Sequence, residues 1–182
     1  MAPLPSSPVW QSADVLSPSL TAAEQDWLFD EGSLTRRLTA LSGDRFAVAP
    51  LRQGWQVLRD DECAALGLPT GSSGWVREVH LQGAGQDWVY ARSVAGREAL
   101  EGSGIDLAGL GSRSLGELLF SDSAFARGAL QACRYPAEWL PAPAPAAWLW
   151  ARRSCFRRDA LAVLVCEVFL PAFWQALGER PS

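Results

Sequence analysis

The chain has 182 residues, of which 48% are hydrophobic and 20% charged, so it can bury a core and is not a disordered segment. Sixteen arginines against twenty acidic residues give a net charge of -4, which argues against a nucleic-acid-binding protein because those normally present a basic surface. The sequence contains no lysine and one histidine, His80, which excludes Schiff-base chemistry, P-loop chemistry and three-histidine metal sites. We therefore expect no metal and no nucleic-acid partner.

Cysteine usage and hydropathy indicate the compartment. The four cysteines follow neither a CxxC nor a zinc spacing, and we expect them to be reduced and packed: Cys63, Cys133, Cys155 and Cys166. The longest apolar stretch, residues 160–174, is interrupted by Glu167 and Pro171 and is too short for a membrane span. These features predict a cytoplasmic protein, and its size favours a monomer.

The N-terminal part divides into an arm and the start of a helical region. Residues 1–20 contain four prolines and lack the apolar core of a signal peptide, which predicts a flexible arm before one domain at 21–182. A helical pattern begins at Thr21. Ser33 is a plausible N-cap for a second short helix that ends near Gly43 and carries three apolar residues on one face: Leu34, Leu38 and Leu41.

The rest of the chain indicates five or six strands of an antiparallel sheet. Alternation is weak in one segment and clear in two that a glycine-containing turn joins into a predicted hairpin: residues 46–52, 75–82 and 88–94. A further candidate strand and a second predicted hairpin follow: residues 124–134, then 148–158 with 161–170. Between the hairpins, Ser114 and Glu117 match a capping box, which predicts a helix to about Asp122. The pattern predicts an α+β fold with helices gathered on one side of the sheet.

Two charges lie on strand faces that are otherwise apolar. Arg77 alternates with tryptophan and aliphatic residues, and we expect the opposite face of that strand, with Glu78 and His80, to be solvated. Glu167 lies in a strand whose two faces are both apolar. Burying either charge without a partner is costly, so Arg77 and Glu167 either pair inside the sheet or line a pocket.

Several other polar positions leave two interpretations open. The predicted helix starts at Ser33-Leu34 and Ser114-Leu115 present free backbone N–H groups that attract carboxylates, but plain capping explains them equally well. Arg92 either covers aromatic residues at a sheet edge or has a role in a site. The pair Arg152-Arg153 is expected on a solvated or ion-paired face, and His80 at the surface.

Five segments resemble the chorismate lyase family in the expected order, from about Trp27 to Pro171. They are DEGSLTRRL at 30–38, WVREV at 75–79, WVYARSV at 88–94, SLGELLF at 114–120 and CEVFLP at 166–171. The resemblance implies a six-stranded antiparallel sheet with helical flaps over an internal ligand cavity. It also implies a carbon–oxygen lyase that removes pyruvate from chorismate without any cofactor. The product, 4-hydroxybenzoate, is the aromatic precursor of ubiquinone.

The same resemblance implies roles for four residues. Arg77 would hold the ring carboxylate, and Glu167 would hydrogen-bond the group at ring position 4. Leu34 and Leu115 would be flap positions whose backbone N–H groups approach the carboxylate. Two other hypotheses stay open at this point: a non-catalytic small aromatic-carboxylate-binding domain related to effector domains of transcription regulators, and a degenerate paralogue acting in folding or assembly.

Overall fold

Alternating apolar and polar segments form one antiparallel sheet of seven strands in residues 7–178, the part of the chain that the computed structural model describes. The strands are β1 Phe46–Val57, β2 Ser73–Gly83, β3 Gln86–Gly96, β4 Ala126–Arg127, β5 Gln131–Pro136, β6 Trp148–Arg158 and β7 Leu161–Phe169. The helices are α1 Ala13–Leu16, α2 Ala22–Leu28, α3 Leu34–Leu41, α4 Asp60–Leu66, α5 Arg97–Ser103, α6 Leu115–Ser121 and α7 Pro171–Leu177. The α+β prediction is confirmed.

Both predicted hairpins are present, and together they form the centre of the sheet. The strand order is β1-β2-β3-β7-β6-β4, and β5 also pairs with β6. Ala84 and Gly85 join β2 to β3 with φ values of 52° and 80°, the positive values that a two-residue turn of matching twist requires. The pairing of β3 with β7 joins the two hairpins into one sheet.

The structure differs from the predicted strands where the alternation was weak. Strand β1 extends to Val57, because a bulge between Pro50 and Arg52 interrupts the alternation on which the prediction depended. The candidate strand at 124–134 is two strands, β4 and β5, and both pair with β6.

Four helices were absent from the sequence prediction: α1, α4, α5 and α7. Helix α4 has three acidic residues in its first turn and ends at Gly67, whose φ is 69°. Helix α7 begins with Pro171 and ends at Gly178, whose φ is 79°. Both pairs of signals are visible in the sequence. Helices α4 and α7 were missed because each is only seven residues long and shows little periodicity.

The predicted arm at 1–20 is described from Ser7 onward, and this part packs against the sheet. The backbone N–H of Gln11 donates to the carbonyl of Ala132 at 2.9 Å, and Ala132 donates back at the same distance. Leu16 at the end of α1 is buried in the core. No membrane-spanning candidate occurs among the helices of residues 7–178.

The two predicted N-caps form and bring two short helices together. Ser33 Oγ accepts from the backbone N–H of Arg36, and Ser114 Oγ accepts from that of Glu117. The side chains of Thr35 and Ser114 are hydrogen-bonded with their oxygens 2.8 Å apart. Helices α3 and α6 therefore touch at their N-terminal ends, above the same face of the sheet.

That face carries two apolar clusters with a polar strip between them. One cluster contacts α2, α3 and α7 and includes Trp27, Leu38, Val79, Phe169 and Phe173. The other contacts α5 and α6 and includes Leu100, Leu115, Leu119, Phe156 and Val163. We call the strip between them the polar belt: Arg77, Ser93, Arg127, Arg152, Ser154 and Glu167.

Candidate active site

Arg77 projects from β2 into the polar belt and has no carboxylate partner there. Its side chain is buried, and Nη2 donates to the carbonyl oxygens of Gly111 and Arg113, both at 2.9 Å. Its Nε and Nη1 donate to no residue between 7 and 178. Burial lowers the pKa of Arg77, but a guanidinium stays protonated at neutral pH. A buried, charged donor pair is therefore left for an anion.

Glu167 on β7 is paired, but with Arg152 rather than with Arg77. Arg152 on β6 lies directly opposite Glu167, and its Nε is 2.7 Å from Oε2 of the carboxylate. Arg152 Nη1 donates to the carbonyls of Trp27 and Asp30, each at 3.0 Å. Its Nη2 is buried and makes no hydrogen bond within the described chain. Arg152 is thus ion-paired, one of the two predicted outcomes, but it lies in the interior.

The register fixes how Arg77 and Glu167 are placed relative to each other. Arg77 lies opposite Ser93, and Glu167 lies opposite Ala91 two residues along the same strand, β3. Two strand spacings and a two-residue offset separate their Cα atoms by about 12 Å. Arg77 binds two carbonyls and Glu167 binds Arg152, so the hypothesis that Arg77 and Glu167 pair inside the sheet is wrong. Ala91 and Ser93, which lie between the two charges on β3, have small side chains.

Arg127 is a member of the belt that sequence reasoning missed. Its Nε donates to Ser154 Oγ at 2.9 Å, and its Nη1 donates to the carbonyls of Glu31 and Gly32 at 2.8 and 3.3 Å. Burial and the positive charge of Arg152 lower the pKa of Arg127, against the smaller opposing effect of the carboxylates of Glu167, Asp30 and Glu31. Strand β4 has only two residues, so no alternation could have indicated which way Arg127 points.

The belt arginines also hold the segments that lead into the two capped helices. Arg127 and Arg152 bind carbonyls between α2 and α3, whereas Arg77 binds carbonyls just before α6. Leu34 and Leu115, the first residues of α3 and α6, are both buried. Their backbone N–H groups have no acceptor within residues 7–178. The N-terminal ends of α3 and α6 therefore lie close to each other and to the segment that Arg77 binds.

A cleft of about 890 Å³ lies on the outer side of these helices, between α3, α6 and β1. Thr35 and Ser114, which form the contact between the helices, are among the residues that line it. Residues 7–178 bring together no group of three histidine, cysteine or acidic side chains that could hold a metal ion.

The opposite face of the sheet is buried, which corrects the expectation that Glu78 is solvated. Glu78 accepts hydrogen bonds from the Tyr90 hydroxyl, from Arg92 Nη1 at 3.3 Å and from Arg52 Nε at 2.8 Å. Arg92 also donates to Glu62 on α4 at 2.5 and 3.1 Å. Helix α4 covers this network, and its absence from the prediction explains the error.

These contacts assign Arg92 and His80 to structural positions. Arg92 lies on the face opposite the belt, so it belongs to the buried network and not to the candidate site. His80 is half-buried, and its Nδ1 is 3.2 Å from Asp87 Oδ2. The cysteines are free thiols. Burial raises the pKa of Cys133, Cys155 and Cys166.

Comparison with known proteins identifies full-length relatives. The sequence model of the chorismate lyase family matches residues 4–178. A protein of Pseudomonas aeruginosa (strain PAO1) named "Probable chorismate pyruvate-lyase" is 65% identical over 96% of this chain and 98% of its own length. A "Probable chorismate pyruvate-lyase 2" of Pseudomonas fluorescens (strain Pf0-1) is 60% identical over 97% and 96% of the two chains.

Solved structures with the same fold come from transcription regulators. The ligand-binding domain of a GntR-family regulator from Bordetella bronchiseptica has a TM-score of 0.50 and 15% identity over 70% of this chain and 83% of its own. The possible transcriptional regulator YydK from Bacillus subtilis has a TM-score of 0.50 and 9% identity over 70% and 58% of the two chains. At these identities the likeness shows the fold alone.

Proposed function

The chain belongs to the chorismate lyase family, and from that premise we propose that it removes pyruvate from chorismate and releases 4-hydroxybenzoate. It is a carbon–oxygen lyase whose aromatic product is the precursor for ubiquinone. The observation that carries the assignment is the match to full-length relatives, together with a buried guanidinium that has no carboxylate partner in residues 7–178. The reaction needs no co-substrate, because every atom of both products comes from chorismate, and we expect no cofactor.

Chorismate already holds the geometry for its own breakdown. The enolpyruvyl ether at C3 lies next to C4, which bears a hydrogen and a hydroxyl group. The C3–O bond breaks while the C4 hydrogen moves to the enolpyruvyl methylene, which becomes the methyl group of pyruvate. The ring becomes aromatic and keeps the hydroxyl. The enzyme's contribution is to hold the reactive conformer, exclude water and place charges.

Arg77 binds the ring carboxylate in this proposal. Its unused Nε and Nη1 support the role, because a guanidinium presents two parallel N–H donors to a carboxylate. The fixed charge of arginine suits a buried site, where a lysine would lose its proton more readily. The carbonyls of Gly111 and Arg113 hold the guanidinium in place before a ligand arrives.

Glu167 meets the hydroxyl at ring position 4, on the far side of Ala91 and Ser93 from Arg77. The separation of about 12 Å between the Cα atoms of Arg77 and Glu167 supports this arrangement, because one benzoate ring with its two substituents fits between their side chains. The N–H groups of Leu34 and Leu115 approach the carboxylate from the helices above. Arg77 and Glu167 are thus the residues proposed to act on substrate.

The experiment that tests the function mixes purified protein with chorismate in metal-free buffer and follows both products by chromatography. We expect 4-hydroxybenzoate and pyruvate in equal amounts, unaffected by a chelator. Arg77→Met serves as the inactive control, and Arg157→Met, which removes an exposed arginine from the opposite face of β6, serves as the active one. Absence of both products with the unmodified protein would overturn the proposal.

The proposal includes a monomeric enzyme in the cytoplasm. The four free cysteines support a reducing compartment. Light scattering after gel filtration tests the monomer. The hypothesis of a non-catalytic carboxylate-binding domain rests on a likeness of fold to transcription regulators, whereas the relatives at 60–65% identity are named as lyases. We therefore favour the enzyme.

A further inference from the structure

The polar belt carries more positive charge than its own residues neutralise. It contains three arginines, Arg77, Arg127 and Arg152, and one carboxylate, Glu167, which gives a net charge of +2. Arg152 is the partner of Glu167. Arg77 and Arg127 have no carboxylate within ion-pair distance in the described part of the chain. Arg77 is buried and Arg127 is partly buried, and withdrawing guanidinium groups from water without an anion is costly, so the site favours a ligand with two negative charges.

The environment of Arg127 leaves one end of its guanidinium free. Nε and Nη1 are engaged by Ser154 and by the carbonyls of Glu31 and Gly32, as described above. Nη2 donates no hydrogen bond inside residues 7–178. The carbon of the guanidinium lies 5.3 and 5.2 Å from the ring centroids of Phe120 and Phe156. These rings and carbonyls position the group without neutralising it.

The sheet register places Arg77 and Arg127 at opposite ends of one row. Arg77, Ser93, Val165 and Ser154 lie side by side on four neighbouring strands, and Arg127 binds the last of them. Three strand spacings separate the Cα atoms of Arg77 and Ser154 by about 14 Å. Arg77 at one end of this row and Arg127 at the other suit a small molecule with a carboxylate at each end.

We propose that Arg127 binds the carboxylate of the enolpyruvyl side chain, and the pyruvate formed from it. This inference rests on the proposed function, under which the substrate has one carboxylate on the ring and a second on the side chain. With Arg77 on the first and Arg127 on the second, the ether is fixed at both ends. The methylene is then held over the C4 hydrogen, the conformer from which the ring becomes aromatic. Arg127 also distinguishes chorismate from monocarboxylates such as 4-hydroxybenzoate.

The test compares two stable ligands that differ by one carboxylate. 4-Hydroxybenzoate has only the ring carboxylate, whereas 3-(carboxymethoxy)-4-hydroxybenzoate carries a second one at the position of the enolpyruvyl ether. Calorimetry gives both dissociation constants for the unmodified protein and for Arg127→Met. We expect the dicarboxylate to bind roughly 30-fold more weakly to Arg127→Met, because a charged hydrogen bond is lost, and 4-hydroxybenzoate to change less than about 3-fold.

Three controls separate this role from a structural one. Arg77→Met should weaken both ligands, and Arg157→Met, with the same change in net charge, should weaken neither. If Arg127 only stabilises the segment before α3, its loss weakens both ligands equally, and the inference is overturned. Arg127→Gln, a neutral side chain that still donates hydrogen bonds, gives the same comparison if the methionine variant does not fold.

Because neither ligand reacts, the readout does not depend on lyase activity. Absence of pyruvate from chorismate with the unmodified protein would refute the proposed function, whatever the two ligands show. If the unmodified protein turns over chorismate but Arg127→Met binds the dicarboxylate with unchanged affinity, the proposed function is supported and the role of Arg127 is refuted. Failure of the unmodified protein to prefer the dicarboxylate would refute it as well.

Discussion

Arg152 and Glu167 face each other across strands β6 and β7, with Nε 2.7 Å from Oε2, and the same guanidinium donates to the carbonyls of Trp27 in α2 and Asp30 just after it. The carboxylate proposed to meet the substrate hydroxyl is therefore oriented by a residue that also holds the segment leading into α3. The guanidinium of Arg152 thus determines both the orientation of the Glu167 side chain and the position of the backbone before α3.

Arg152→Met should destabilise the protein by about 3 kcal/mol, because removing one member of a buried ion pair leaves the other without a partner. The second substitution Glu167→Gln, made in the same chain, should recover most of that loss. Urea unfolding of the two single variants and the double variant measures the coupling. If the loss of unfolding free energy in the double variant equals the sum of the losses in the two single variants, the pair contributes no mutual stabilisation.

Arg77→Met should lower kcat/KM for chorismate by at least about 100-fold, because a buried charged contact to the ring carboxylate is lost. Arg77→Lys should recover little of it, since an ammonium cannot make the two parallel hydrogen bonds of a guanidinium. Steady-state kinetics of both variants, with Arg157→Met as the matched control, provides the comparison. Substantial turnover by Arg77→Met would remove Arg77 from the site.

Product release should limit turnover and make 4-hydroxybenzoate an inhibitor, since the ligand lies under helices that must separate before it leaves. Rapid mixing with excess chorismate should show a burst close to one product per protein, followed by a slower steady state. Thr35→Val removes the hydrogen bond to Ser114 and should raise the steady-state rate while leaving the burst amplitude unchanged. A progress curve that is linear from the first turnover would contradict this order of steps.

Acid should weaken the fold through Glu78. Burial by itself would raise the pKa of Glu78, but the hydrogen bond from Tyr90 and the charges of Arg92 and Arg52 lower it below its usual value. The unfolded chain therefore binds the proton more tightly, so this contribution is complete above the ordinary glutamate pKa of about 4.3 and is lost as pH falls through the lower, folded value. Glu78→Gln should lower the unfolding free energy at pH 7 and reduce its loss between pH 5 and pH 3. Urea titrations at these pH values test this, and parallel pH profiles for the two proteins would refute it.

Much of the fold could be predicted because it depends on local signals. The hairpins follow from alternation and from turns with positive φ, and the helices α3 and α6 follow from serine caps. The inward direction of Arg77 follows from its strand period. The pairing of Arg152 with Glu167 could also have been predicted, because a two-residue turn at Asp159 and Ala160 fixes the register of β6 and β7. It was not predicted because the adjacent arginines, Arg152 and Arg153, are typical of a solvated strand face.

The remainder depends on contacts that no local pattern encodes. Whether the sheet face that carries Glu78 is solvated or buried depends on α4, a helix too short to show periodicity. Arg127 belongs to the site because β4 pairs with the far edge of β6, at a position where two residues define the whole strand. The strand period therefore indicates the inward direction of Arg77, whereas no local pattern indicates that of Arg127.

The site spans the seam where β3 pairs with β7, so its formation is coupled to the folding of the sheet. Arg77 comes from the hairpin β2–β3, whereas Glu167 and Arg152 come from β6–β7, and Ser93 lies opposite Val165 where the two hairpins join. Each hairpin can form locally, but the site exists only after partners some seventy residues apart have docked. A dianion that contacts both hairpins binds only the form in which they are docked. It therefore stabilises the contact between the two hairpins, by an amount that grows with the logarithm of the ligand concentration.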